Sequence, residues 1–341
     1  MTLKPLDTGK RVLITGAAGF IGFHLARRLL DQGMEIVGLD NVNAYYDVRL
    51  KEARLEILSQ YSNFSFVRGS IADAELVNRV FDANRFDIVV NLAAQAGVRY
   101  SITNPAAYIE SNIVGFFNIL EACRHHPVSH LLYASSSSVY GNQQKTPFST
   151  DDDVSRPISL YAATKKSNEL MAYTYSHLYH IPTTGLRFFT VYGPLGRPDM
   201  AYFGFTDKIL RGETIQIFNN GDMKRDFTYI DDIVAGVEAM LCNPPEGEDP
   251  ARVYNIGNNQ PEDLLNFVET LEKSLMDAGL ISQPAKKEFL PMQAGDVYQT
   301  YADTAPLERD FGFKPATSIA DGLGRFARWY AEFYGKGGRQ A

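Results

Sequence analysis

The sequence predicts an α/β protein: a doubly wound parallel sheet with a smaller α/β lobe attached. Three observations carry that reading: short apolar runs alternate with helical stretches, a glycine-rich turn closes the first run, and the chain has 341 residues, about twice an average domain. Runs at 11–15, 35–40, 64–68, 87–93, 130–135 and 183–188 are spaced for crossover helices between them. Near-continuous apolar strands of this kind belong to parallel sheets covered on both faces. Beyond Thr190 the rhythm loosens, and Gly193, Pro194, Gly196, Arg197 and Pro198 mark a loop. Helical stretches return at 230–241, 261–278 and 319–334, while the Pro-, Gly- and acid-rich segment 243–250 reads as a surface loop. Residues 1–190 with 228–257 are expected to form one domain, and 191–227 with 258–341 the smaller lobe. Ligands of open α/β sheets lie outside the carboxyl ends of the strands, so a substrate is expected in that lobe.

Composition narrows the function class. Apolar residues make up 45% and charged residues 21%, which excludes a mainly disordered, collagen-like or coiled-coil chain. The 33 basic residues against 40 acidic ones give a net charge of −7. That balance argues against nucleic acid as a partner, although a small anion can still meet a local cluster of arginines. Cys123 and Cys242 form no disulfide framework, so a reducing compartment is the simplest fit. Residues 1–11 carry no apolar run of signal-peptide length, and no apolar run is long enough to span a membrane. A soluble, cytoplasmic protein without a membrane partner or a metal is expected.

The first sharp signal is the run Val12-Leu-Ile-Thr-Gly16-Ala-Ala-Gly19-Phe-Ile-Gly22, in which a strand ends at Thr15 and a helix follows. Glycines here allow a tight turn, close approach of a pyrophosphate to the backbone, and packing of the helix on the strand, while the helix N-terminus receives the phosphates. Asp40, at the end of the second strand, is placed to accept hydrogen bonds from the adenosine ribose hydroxyls and would repel a 2′-phosphate. The reading is therefore a Rossmann-type sheet that binds NAD rather than NADP.

The glycine spacing, with two residues between the first pair, is similar to that of the extended short-chain dehydrogenase/reductase superfamily. Asn91-Leu-Ala-Ala94 resembles the family segment beneath the nicotinamide ribose and pyrophosphate, and Asn112 matches its buried polar position. The resemblance implies cofactor contacts at Gly16, Ala18, Gly19, Phe20 and Ile21, at Asp40, Asn41 and Asn43, and at Leu92, Ala93, Ala94 and Gln95. It also implies Ser70 and Ile71 beside the adenine, with Ser70 standing where the family usually carries an aspartate.

Tyr161 and Lys165 lie one helical turn apart within 159–180. Any helix offers such a pair. This one follows the fifth strand, which ends in the serine cluster Ser135 to Ser138. A phenol with a pKa of about 10 is a poor base at neutral pH, but a nearby ammonium and the positive nicotinamide favour the phenolate. In the family's chemistry Tyr161 takes a proton from a sugar hydroxyl as hydride leaves the same carbon, Lys165 holds the nicotinamide ribose, and Ser136 bonds the reacting oxygen.

Over essentially its full length the chain resembles sugar-nucleotide epimerases, and most closely the UDP-glucuronate 4-epimerases. The match is carried by Asp40-Asn-Val-Asn-Ala-Tyr-Tyr-Asp47, Ala94-Gln-Ala-Gly-Val-Arg99-Tyr-Ser101, Arg187-Phe-Phe-Thr190-Val-Tyr-Gly-Pro194, Gly196-Arg-Pro-Asp-Met200 and Lys224-Arg-Asp-Phe-Thr-Tyr-Ile-Asp231. Sugar-nucleotide 4,6-dehydratases place an Asp-Glu pair, and UDP-xylose-forming decarboxylases a glutamate, before the turn Val139-Tyr140-Gly141, where this chain has Ser137 and Ser138. Those hydroxyls, with Thr190, suit a substrate carboxylate without adding negative charge. Arg225 and Asp296 match family positions for the nucleotide phosphate and ribose. Arg99 and Arg197 are further anion contacts, and Gln216 lies beside the uracil. The expected reaction is reversible C4 epimerisation of UDP-glucuronate to UDP-galacturonate. UDP-hexose and N-acetylated uronate epimerases are alternatives, and a non-catalytic NAD-binding regulator is a remote one. The resemblance also implies a homodimer through two helices per subunit, with 106–123 and the Tyr161 helix as candidates.

Overall fold

A computed structural model describes residues 3–292 and 298–335. The chain divides into two compact units. The first runs to Phe188 and takes in Val234–Ile256 and Asp303–Phe313. Its strands β1 (Arg11–Thr15), β2 (Glu35–Asp40), β3 (Phe64–Arg68), β4 (Ile88–Asn91), β5 (His130–Ser136) and β6 (Thr183–Phe188) join Ala251–Ile256 in one parallel sheet. The spatial order is Ala251–Ile256, β6, β5, β4, β1, β2, β3. After β3 the chain returns to the far side of β1, which makes β1 and β4 the switch point of the winding. Val12, Leu13 and Ile14 of β1 and Ile88, Val89 and Val90 of β4 are fully buried. Their apolar runs can be satisfied only in the middle of a covered sheet.

Three differences from the sequence reading have physical causes. The seventh strand, Ala251–Ile256, was not anticipated because Arg252 and Asn255 break its apolar run; its place comes from pairing with β6. β4 ends at Asn91, so Leu92 and Ala93, expected inside it, leave the ladder as a loop. The helix expected over 261–278 is a short strand, Pro261–Asp263, followed by a helix at Leu264–Asp277. Pro261 has no amide to donate, and the Asp263 carboxylate caps the helix that follows by accepting from the Leu265 amide.

The second unit comprises Phe189–Ile233, Gly257–Ala302 and the chain from Lys314. Its central strand, Lys224–Tyr229, pairs in parallel with Thr190–Tyr192 and antiparallel with Pro261–Asp263. Ile215–Ile217 pairs with Lys287–Phe289. Tyr202, Phe203, Phe326 and Tyr330 are fully buried, and Phe267 stacks on Phe227 with centroids 4.1 Å apart. Among the described residues no helix is long and apolar enough to cross a membrane, and both cysteines are buried free thiols.

One carboxylate pins three segments of this unit. Asp226, fully buried, accepts from the amides of Asn258 at 2.6 Å, Asn259 at 3.1 Å and Ala302 at 3.0 Å. Burial pushes its carboxyl up to about 6, against the pull of those three donors. Replacing Asp226 with Ala strands all three amides, a loss of about 2–4 kcal/mol. The expected result is a fall of several degrees in the melting temperature, read by calorimetry, and an unchanged melting curve would contradict it.

Candidate active site

The cofactor cradle begins where β1 ends. Gly16 turns at φ +72°, and a Cβ there would lie 2.8 Å from the Ala93 amide nitrogen, so only glycine fits. A Cβ on Gly22 would strike the Gly16 carbonyl, which is how the helix α1 (Phe20–Asp31) comes so close to the strand. Gly19 is the N-cap of α1 and has no side chain to cap it, so the first amides of the helix receive no bond from the capping residue. A dinucleotide phosphate fits such a cradle, since any side chain at these glycines would fill it.

The Ala18 peptide is held on both sides. Its amide donates to Asp40 Oδ2 at 3.1 Å, and its carbonyl accepts from Arg54 Nη1 at 2.7 Å. Asp40 Oδ1 also accepts from the Val42 amide at 2.7 Å, which fixes the turn carrying Asn41 and Asn43. Lys51 donates to Asn43 Oδ1 at 2.8 Å. Arg54, fully buried on the helix Val48–Leu58, was missed by sequence reasoning. The signal was present: Leu50, Arg54 and Leu58 recur every four residues on the inward face, and all three are fully buried.

Past β3, Ser70 Oγ accepts from the Ala72 amide, while the Ile71 carbonyl accepts from Asn118 Nδ2 at 2.9 Å. Past β4, Thr15 Oγ1 donates to Asn91 and accepts from the Ala93 amide, tying Leu92, Ala93 and Ala94 to β1. Asn112 is 1% exposed; it accepts from the Gln95 amide at 2.8 Å and donates to the Gln95 carbonyl and to Thr164 Oγ1, both at 3.0 Å. These bonds make Asn112 the brace between the Leu92–Gln95 segment and the Tyr161 helix. It lies in a π-helical turn, Ile109–Val114, a feature frequent at functional sites.

Tyr161 stands in the first turn of the helix Leu160–Tyr179, capped by Ser159, whose Oγ accepts from the Ala162 amide. The Tyr108 ring packs edge-on against Tyr161 at 5.9 Å, and its hydroxyl donates to the Ala96 carbonyl at 2.9 Å. Lys165, one turn further along, is 3% exposed and donates to the Ala134 carbonyl of β5 at 2.9 Å. That bond brings the Tyr161 helix to the end of β5, two residues before Ser136. Ser136 Oγ accepts from the Ser138 amide at 3.2 Å and from the Ser138 hydroxyl at 2.9 Å, while Ser137 is half-buried in the same turn. The structure thus gathers Lys165, Ser136, Ser137 and Ser138 at one strand end. Burial pushes the Lys165 ammonium down to about 7. Arg99 is exposed at the start of a short helix, Tyr100–Thr103, in the same unit.

In the second unit Thr190 pairs with Phe227. Arg225 is half-buried, its guanidinium donating to the carbonyls of Lys224 and Tyr298 at 2.9 and 3.1 Å. Arg197 forms a two-pronged pair with Asp199, so an anion must compete with that carboxylate for its fork. Gln216 is exposed on the strand Ile215–Ile217. Asp296 lies outside the described residues.

The sequence model of the NAD dependent epimerase/dehydratase family matches residues 12–257. The chain is 52% identical to Protein CapI of Staphylococcus aureus, over 96% of this chain and all of that one. It is 47% identical to a probable UDP-glucuronate 4-epimerase of Rhizobium meliloti, over 95% of this chain and 98% of that one. Its structure is similar to that of the Bacillus cereus UDP-glucuronic acid 4-epimerase in complex with UDP-glucuronic acid and NAD, with a TM-score of 0.86, 34% identity, and coverage of 95% of this chain and all of that one. A Tyr-to-Phe variant of the Bacillus enzyme was solved with UDP-4-deoxy-4-fluoro-glucuronic acid and NAD.

Two outcomes test this geometry. Lys165 has a folded value below its unfolded one, so its penalty is fully present below pH about 7 and fades as pH rises toward the usual lysine value near ~10.4. Lys165→Met should therefore melt higher than the parent at pH 6–7, with the advantage gone near pH ~10; equal curves at all pH values would contradict the burial argument. Arg54→Ala frees the Ala18 carbonyl and should weaken NAD retention about tenfold, the scale of one charged hydrogen bond, as measured by cofactor titration.

Proposed function

The chain belongs to the NAD dependent epimerase/dehydratase family, and we propose that it is an isomerase interconverting UDP-glucuronate and UDP-galacturonate by inverting C4. One observation supports this reading: the Lys165–Ala134 bond joins the tyrosine helix to a strand end where positions 136, 137 and 138 carry hydroxyls rather than carboxylates.

The residues proposed to hold NAD are the backbone of Gly16, Ala18, Gly19, Phe20 and Ile21 for the pyrophosphate and Asp40, Asn41 and Asn43 for the adenosine ribose. Ser70 and Ile71 serve the adenine, and Leu92, Ala93, Ala94, Gln95 and Lys165 the nicotinamide side, with Asn112 bracing that segment. When bound, NAD supplies the acceptor for the hydride that leaves C4. Tyr161 takes the C4 hydroxyl proton, Lys165 lowers the cost of the phenolate, and Ser136 bonds the same oxygen. The resulting 4-keto sugar must present its other face before hydride returns. Firm anchoring of the nucleotide and slack around the sugar follow from that requirement, with Arg99, Arg197, Gln216, Arg225 and Asp296 proposed for the UDP moiety.

A 4-ketouronate is a β-keto acid that readily loses carbon dioxide. Ser137, Ser138 and Thr190 are proposed to hold its carboxylate by hydrogen bonds, near the carbonyl plane, where the C5–C6 bond is poorly aligned to break. Hydroxyls at Ser137 and Ser138 cannot act as the acid/base pair of a dehydratase.

We further propose a homodimer in the cytoplasm. The helix Gly115–His125 and the Tyr161 helix leave apolar side chains in water: Phe117 is 46% exposed, Leu170 58% and Tyr173 51%. Such a patch suits burial against a second copy, and the buried thiols suit a reducing compartment.

Incubation with UDP-glucuronate should produce the anomeric proton signal of the galacto isomer; its absence sinks the reading. Tyr161→Phe should lower turnover about 10³-fold while leaving NAD bound, and a variant that turns over at the parent rate removes Tyr161 from the role of base.

A further inference from the structure

The chemistry above gives no role to a buried ion pair in the first unit. Glu169, on the Tyr161 helix, and Arg187, on β6, form a two-pronged pair at 2.8 and 2.9 Å with side chains 4% and 3% exposed. Burial alone would raise the Glu169 carboxyl, but the bonds and charge of Arg187, together with the Ser135 hydroxyl, hold it below its usual range. A buried ion pair is weak ground for stability, since its desolvation can outweigh its attraction. What it fixes in place is therefore the more informative question.

It grips both ends of the serine turn. Ser135 Oγ, next in chain to Ser136, donates to Glu169 Oε1 at 2.7 Å. Tyr140, the last residue of the turn Ser137–Tyr140, accepts from Arg187 Nη1 at 2.9 Å and donates to Asn255 Oδ1 at 2.6 Å. The Arg187 guanidinium also lies 4.9 Å from the centre of the Tyr140 ring. Asn255 Nδ2 in turn donates to the Phe148 carbonyl at 2.7 Å. The same Glu169 sits one turn beyond Lys165, so one pair couples the turn to the helix of the base.

We propose that Glu169, Arg187 and Tyr140 are positioning residues that set the Ser136–Ser138 hydroxyls against Tyr161 and Lys165 and so decide whether the 4-keto uronate is reduced or decarboxylated. The proposal rests on the uronate reading above. A loosened turn releases the carboxylate and lets the ring change pucker until the C5–C6 bond stands perpendicular to the plane of the C4 carbonyl. That bond then breaks, its electron pair moves into the C5–C4–O4 system, carbon dioxide leaves, and C5 takes up a proton. Only the hydride already removed from C4 is needed as oxidation.

The test uses the holoenzyme, UDP-glucuronate labelled with carbon-13 at the carboxylate, and two variants. Tyr140→Phe keeps the ring and its stacking on Phe148, at 4.7 Å, but removes the hydroxyl. Ser135→Ala removes only the donor to Glu169 at the other end of the turn, and it carries the same readout if Tyr140→Phe does not fold. Labelled carbon dioxide relative to UDP-galacturonate should rise about tenfold, the scale of one lost hydrogen bond. Absorbance at ~340 nm should accumulate as the 4-ketopentose departs before hydride returns. Folded variants that keep the parent's product ratio overturn the proposal, even if they melt lower. A parent that does not convert UDP-glucuronate overturns the uronate reading, and this proposal with it.

Discussion

Seven parallel strands end on one edge of a single sheet, and that constraint places nearly everything of chemical interest in the first unit. The glycine turn follows β1, Asp40 closes β2, Ser70 and Ile71 follow β3, Leu92 to Gln95 follow β4, and Ser136 ends β5 with Ser137 and Ser138 in the turn after it. Residues as far apart in sequence as Gly16 and Ser138 share that edge because parallel strands must all run the same way. The return of the chain from β3 to β4 opens the switch point beside the first of these loops.

The loops are held by a small set of buried polar side chains, each joining two elements. Thr15 ties β1 to the segment after β4. Arg54 and Asp40 hold one peptide between them. Asn112 braces the segment after β4 against the Tyr161 helix, and Lys165 ties that helix to β5. Because a buried polar group is costly when unpaired, these contacts tolerate little displacement. The loops can therefore lack regular structure and still present fixed geometry.

The acidic surplus of the chain does not oppose an anionic ligand. In the first unit the groups proposed to meet negative charge are backbone amides at a helix start, uncharged hydroxyls and the exposed Arg99. In the second, Arg225 is oriented by two carbonyls, whereas Arg197 is already paired with Asp199. Local placement decides such binding, since a net charge spread over the surface is screened within about 10 Å.

The sequence by itself determined the sheet class, and its local patterns single out the residues proposed to carry chemistry. β1, β2, β3 and β6 follow directly from apolar runs, and the glycine turn, Asp40, Tyr161 and Lys165 follow from spacings within one or two local elements. Such signals are readable because the interactions behind them span a few residues. The tertiary structure decided the rest. The strand Ala251–Ile256 has no strong run of its own and is defined by its neighbour β6. Arg54 meets Ala18 across 36 residues, Lys165 meets Ala134 across 31, and Tyr140 meets Asn255 across 115. No local pattern encodes a partner that distant. Such a contact exists only once the sheet order has fixed which segments lie side by side, and burial then requires each polar group to find a partner there.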